Sequence, residues 1–76
     1  MTIELIKRVS VKLASESDLP FIINDVNAIL KNENVFDQRG TVKKLEHAFT
    51  NANYAGDYKA GEFSFILSDY LKGGNY

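Results

Sequence analysis

Hydrophobic positions gather into four stretches, and the most regular covers residues 17–32. Leu19, Ile22, Ile23, Val26, Ile29 and Leu30 recur at three- and four-residue spacing, which lays one apolar stripe along an α-helix. Asn24, Asp25, Asn27 and Lys31 fall on the other side. Ser15, Ser17 and Asp18 can accept from the unpaired N–H groups of a helix start, and Asp18 suits the positive end of the helix dipole. Pro20 is tolerated only in a first turn, so the pattern predicts a helix beginning near Ser17. The polar run from Lys31 to Asn34 ends it. A second helix is predicted over residues 41–53, with Thr41 as N-cap. Val42, Leu45, Ala48, Phe49 and Ala52 form its inner stripe, and Lys43, Lys44, Glu46, His47 and Thr50 turn to water. Between the two helices, Val35 and Phe36 form an isolated apolar pair expected to plug one end of the core.

The two outer stretches read differently. Over residues 3–13, Ile3, Leu5, Val9, Val11 and Leu13 share one parity, while Glu4, Arg8, Ser10 and Lys12 share the other. That alternation predicts a half-buried strand. Ile6 and Lys7 break the parity, which a bulge would repair; a helix is the rival reading. Residues 62–71 fit two periods. Phe63, Phe65 and Leu67 alternate as in a strand, whereas Phe63, Ile66, Leu67, Tyr70 and Leu71 fit a helix with Gly73 and Gly74 as its C-cap. A strand at the N-terminus needs a ladder partner, because unpaired backbone groups in a core are costly. Residues 63–67 are the one other candidate strand. The expected fold is therefore α+β, strand-helix-helix-strand, with two helices on one face of a short sheet; the alternative is a mostly helical bundle. Residues 53–61, with two glycines, an Asp and an Asn, are expected to form a loop or tight hairpin.

Seventy-six residues make a single domain, near the lower limit for a self-sufficient core. There is no cysteine, so no disulfide framework is available, and a reducing compartment fits. Nine basic and ten acidic residues leave a net charge of −1, which gives no global attraction to nucleic acid or anionic membrane. No apolar run is long enough to span a bilayer. Lys7, Arg8 and Lys12 lie within the first apolar pattern rather than ahead of it, unlike a signal peptide. The expectation is a soluble, cytoplasmic protein.

The segment VKLASESDLPFIINDVN, residues 11–27, resembles the first strand and first helix of the GCN5-related N-acetyltransferases, where an opening strand runs through a polar turn into an Asp-Leu-Pro-like helix start. A helix such as TVKKLEHAF (residues 41–49) and a strand such as EFSFIL (residues 62–67) then follow, in an order similar to the N-terminal half of that fold. The resemblance implies a truncated acetyltransferase-like topology. The family holds acetyl-CoA pyrophosphate with a Gln/Arg-x-x-Gly-x-Gly/Ala turn at a helix N-terminus. The nearest match, QRGT at residues 38–41, has one glycine and no preceding strand, so the resemblance does not extend to acetyl transfer, and no cofactor is expected.

The remaining chemistry is sparse. His47 is the one histidine, and Glu16 and Asp18 suit helix-start charge, so neither metal binding nor acid–base catalysis is expected and the chain is read as non-enzymatic. Two binding readings stand. Late tyrosines, Tyr54, Tyr58, Tyr70 and Tyr76, suit a protein interface, with Tyr54, Asp57, Tyr58 and Lys59 on a glycine-flanked contact loop. This predicts a protein-binding or regulatory module of the inhibitor, immunity or antitoxin kind, of the sort phages and plasmids encode, whose partner is another protein. A homodimer through an edge strand is also compatible. The alternative is nucleic acid. Arg8 and Lys12 would share a strand face beside Phe63 and Phe65, or Lys43 and Lys44 would lie on the recognition helix of a helix-turn-helix, with His47 and Asn51.

Overall fold

The computed structural model describes residues 1–73, and in it the chain forms four α-helices: α1 (Ile3–Glu16), α2 (Pro20–Lys31), α3 (Gln38–Tyr54) and α4 (Tyr58–Leu71). No strand occurs among the described residues, so the α+β expectation is corrected to its alternative, a small helical bundle. Gly74 and Tyr76, named above as part of a C-cap and as a late tyrosine, lie outside the described residues.

The N-terminal stretch is a helix because its decisive residue is the one that broke the strand parity. Ile6 is buried, and Ser10 and Ala14 follow it inward at four-residue spacing. Leu5 and Val11, which a strand would bury with Val9, are exposed. Thr2 caps α1, its Oγ1 accepting from the N–H of Leu5 at 3.2 Å. Ser10 is fully buried yet satisfied, its hydroxyl donating to the Ile6 carbonyl at 2.7 Å. The C-terminal stretch follows the same logic. Ala60, Phe63, Ser64 and Leu67 face inward at the spacing of a helical stripe, and Phe65 stands on the opposite side, 75% exposed.

The acetyltransferase resemblance falls with the strands. Residues 11–27 are the end of α1, a turn and the start of α2, whereas that family's fold opens on a strand. The edge-strand route to a dimer falls with it.

Three further expectations move. The first predicted helix starts at Pro20 rather than Ser17, with Leu19 as an N-cap that makes no side-chain bond. The second starts at Gln38, capped by Asp37, whose Oδ1 accepts from Gly40 N–H at 2.9 Å; Thr41 lies inside the helix and is buried. Val35 and Phe36 do not plug the core. They stand 65% and 95% exposed on the connection between α2 and α3.

α3 is the central element. It pairs most extensively with α4 and also packs on α2 and α1. Val42, Leu45, Ala48, Phe49 and Ala52 supply its share of the core, and the rings of Phe49 and Phe63 meet edge to face at 5.1 Å and 83°. α4 can lie close against α3 where Gly61 passes Asn53, since a Cβ at Gly61 would stand 2.3 Å from the Asn53 amide oxygen.

One ion pair ties α1 to the α2–α3 connection. The Lys7 ammonium lies 2.7 Å from Glu33 Oε1 and 2.5 Å from Oε2. Glu33 Oε2 is buried and accepts no hydrogen bond elsewhere among the described residues, so Lys7 is what neutralises it. The hydrogen bond to Glu33 raises the Lys7 pKa above its ordinary 10.5, with smaller help from Glu33 and Glu4 charge. A raised lysine pKa adds stability that is fully present below the unfolded value and is lost as pH rises through the folded one. The stability advantage of the natural chain over Lys7→Met is therefore expected to hold up to about pH 10 and to shrink above it. Urea unfolding of the two proteins across alkaline pH checks this; a gap that stays constant to the highest pH would contradict it.

Candidate functional site

The site grows from the corner where α3 hands over to α4. Residues 55–57 make the connection, and Gly56 adopts φ +109°, which a side chain would resist. The turn is closed from within. Gly56 N–H donates to the Asn53 carbonyl at 3.0 Å, and Asp57 N–H to that of Ala52 at 3.0 Å. Asp57 then caps α4, its Oδ1 accepting from Ala60 N–H at 3.1 Å. Its other oxygen, Oδ2, accepts from the Ser17 hydroxyl at 2.7 Å. Ser17 Oγ in turn accepts from Leu19 N–H at 3.1 Å. A single carboxylate thus starts α4 and locks the α1–α2 turn against the α3–α4 turn.

Between the two turns lies an open cleft of about 500 Å³, lined among others by Glu16, Asp18, Leu19, Gly56, Tyr58 and Lys59. Tyr54, in the last turn of α3, and Tyr58, in the first turn of α4, flank the corner at 83% and 81% exposure. The four residues expected to contact a partner therefore separate by role. Tyr54, Tyr58 and Lys59 are presented to solvent, with Tyr58 and Lys59 on the cleft wall. Asp57 is half-buried and its carboxylate is engaged by Ser17 and Ala60, so it positions the corner. The loop or hairpin expected over residues 53–61 shrinks to residues 55–57, the rest being helix, and it is hydrogen-bonded. Tyr70 is half-buried against the core.

The four cations of the nucleic-acid reading are all exposed, Arg8 and Lys12 one turn apart on α1, Lys43 and Lys44 adjacent on α3. The strand face on which Arg8 and Lys12 were to lie beside Phe63 and Phe65 does not form; Phe63 is buried in the core. Lys44 and His47 line a shallow groove between α2 and α3 with Asp25 and Asn51. His47 is exposed, its Nε2 3.6 Å from the Glu46 carboxylate. Among the described residues no three His, Asp or Glu side chains converge as a metal ion requires, and no helix is long and apolar enough to cross a membrane.

Val35 and Phe36, expected to plug the core, are exposed, and so is Phe65. The signal against Val35 and Phe36 was their isolation, since no apolar residue lies three or four positions before or after them at helical spacing within one predicted element. Their connection is nonetheless ordered by hydrogen bonds. Asn34 Oδ1 accepts from Phe36 N–H at 2.9 Å and the Asn34 carbonyl accepts from Asp37 N–H at 2.9 Å, while just beyond it, in the first turn of α3, Arg39 Nη2 donates to the Leu71 carbonyl at the end of α4 at 2.7 Å. Set against known protein families, curated proteins and solved structures, the chain has no significant match in any of the three comparisons.

Proposed function

We propose that this chain is a non-catalytic protein-binding module of the inhibitor, immunity or antitoxin kind, acting in the cytoplasm, and that it engages its partner through the α3–α4 corner. The observation that carries the reading is the pair Tyr54 and Tyr58, almost fully exposed on either side of a turn held by the Ser17–Asp57 bond. Tyrosine combines a large contact area with a hydroxyl and loses little rotamer freedom on binding, and a turn already fixed before contact loses little more. Lys59 and the carboxylates of Glu16 and Asp18 add a charged rim around the cleft.

Tyr58→Ala and Tyr54→Ala are expected to change stability by no more than about 0.5 kcal/mol, since neither side chain is buried. The same substitutions are expected to weaken capture of the native partner at least about tenfold. The check is affinity capture from the native host with the natural chain, each Tyr variant, and a Lys43→Ala/Lys44→Ala control, alongside thermal unfolding of each. A captured protein lost with Tyr58→Ala and kept with the lysine control supports the reading. Loss with the lysine control alone, together with a complex that weakens steeply with salt, would move the interface to α3 and favour nucleic acid.

A further inference from the structure

The two ends of the bundle carry matching irregularities. At one end the Val35–Phe36 tip holds two apolar side chains out to water on a connection whose N–H groups at Phe36 and Asp37 bond back to Asn34. The backbone under this tip is already fixed by these bonds, so docking it as a knob costs little further backbone entropy. At the other end lies the cleft, whose walls include the apolar surfaces of Leu19, Ala55, Gly56 and Tyr58. Its volume of about 500 Å³ falls in the range of clefts that hold side chains and small ligands. The knob lies at the start of α3 and the cleft at its end, separated by a helix about 25 Å long, so no copy can fill its own cleft.

Charge follows the same polarity. Lys31 and Arg39 flank the knob in the chain, while Glu16 and Asp18 line the cleft. The exceptions also match in sign: Asp37 follows the knob, and Lys59 lines the cleft. Glu33, near the knob, is neutralised by Lys7, and Asp57, in the cleft, is engaged by Ser17 and Ala60. An anionic lipid surface fits less well, because Asp37 directly follows Phe36.

We propose that the chain docks head to tail onto a second copy of itself, the Val35–Phe36 knob of one copy entering the cleft between the α1–α2 and α3–α4 turns of the next. The contact is heterologous, so it propagates into open chains unless its rotation closes a ring. It names an occupant for the corner described above and rests on that corner being a docking surface.

Sedimentation velocity of the full chain tests it. The weight-average mass is expected to rise between about 10 μM and about 1 mM, the range suited to so small a contact. Phe36→Ser removes the knob and Ala55→Trp fills the cleft; each variant alone is expected to stay monomeric. An equimolar mixture of the two retains one intact knob and one intact cleft, and is expected to stop at a dimer. Circular dichroism confirms that each variant is folded. Should Ala55→Trp fail to fold, Asp18→Lys serves instead, with association weakened and then restored by Lys31→Glu on the same chain. A natural chain that stays monomeric throughout, or Phe36→Ser associating as well as the natural chain, overturns the proposal. Neither result touches the corner itself. Phe36→Ser should still capture a foreign partner, whereas Tyr58→Ala should lose both activities, so the two readings fail separately.

Discussion

Phe49→Ala is expected to leave little of the fold intact at physiological temperature, while Phe65→Ala, two residues from the partner ring of Phe49, is expected to change almost nothing. Phe49 is buried on the central helix and meets Phe63 edge to face at 5.1 Å. Truncating such a side chain costs about 3–5 kcal/mol, because the transfer free energy is lost and the surrounding helices collapse only in part. A domain of this size holds about 4–11 kcal/mol in total. The midpoint of thermal unfolding should fall by about 15 °C or more. Phe65 lies on the side of α4 opposite Ala60, Phe63 and Leu67, so Phe65→Ala should stay within about 0.5 kcal/mol of the natural chain. Thermal unfolding of both variants, followed by circular dichroism, gives the comparison. In a sheet with Phe63, Phe65 and Leu67 on one face, Phe63→Ala and Phe65→Ala would cost alike; in this bundle the first is severe and the second silent. Equal losses would contradict the helical assignment of α4.

That contrast also explains where sequence reading succeeded and where it failed. α2 and α3 were readable because their apolar residues keep helical spacing over several turns and no shorter period competes. Residues 3–13 and 62–71 each contain a short alternating run that is also part of a helical wheel. In α1 the run from Val9 to Leu13 imitates a strand, and the burial of Ile6 and Ser10 with the exposure of Leu5 and Val11 separates the two periods. The two errors were one error. A strand at the N-terminus required a partner, that requirement promoted residues 63–67, and each assignment then supported the other. A helix satisfies its backbone within itself, so neither segment needed the other once the longer period was chosen. At the corner, the tyrosines were readable as exposed because they sit among Gly, Asn and Asp. The cleft was not, because it depends on Ser17 meeting Asp57 across 40 positions of chain. Phe36 is placed inward by residue type alone and Phe65 by the strand period it shares with Phe63 and Leu67; both are exposed, and an exposed large apolar residue is the more informative observation.

The same Ser17–Asp57 bond carries the second large effect. Asp57→Ala removes the cap of α4 and the acceptor of Ser17 in one step. Loss of an Asp cap alone costs about 0.5–2 kcal/mol, and the half-buried Ser17 hydroxyl loses its charged partner as well. Together these should cost about 2 kcal/mol, lowering the midpoint by about 8–16 °C. Asp57→Asn keeps a side-chain oxygen for Ala60 N–H and a residue type suited to the cap position, so it should recover most of that loss. Ser17→Ala combined with each substitution isolates the cross-turn term as a double-mutant cycle. The cycle also separates positioning from contact at the proposed interface. If Asp57 acts by holding the two turns together, Asp57→Asn retains partner capture together with stability, and Asp57→Ala weakens both. If its carboxylate instead touches the partner, Asp57→Asn loses capture while the protein unfolds at nearly the natural temperature. The geometry supports the first outcome, since both carboxylate oxygens already accept hydrogen bonds from within the chain.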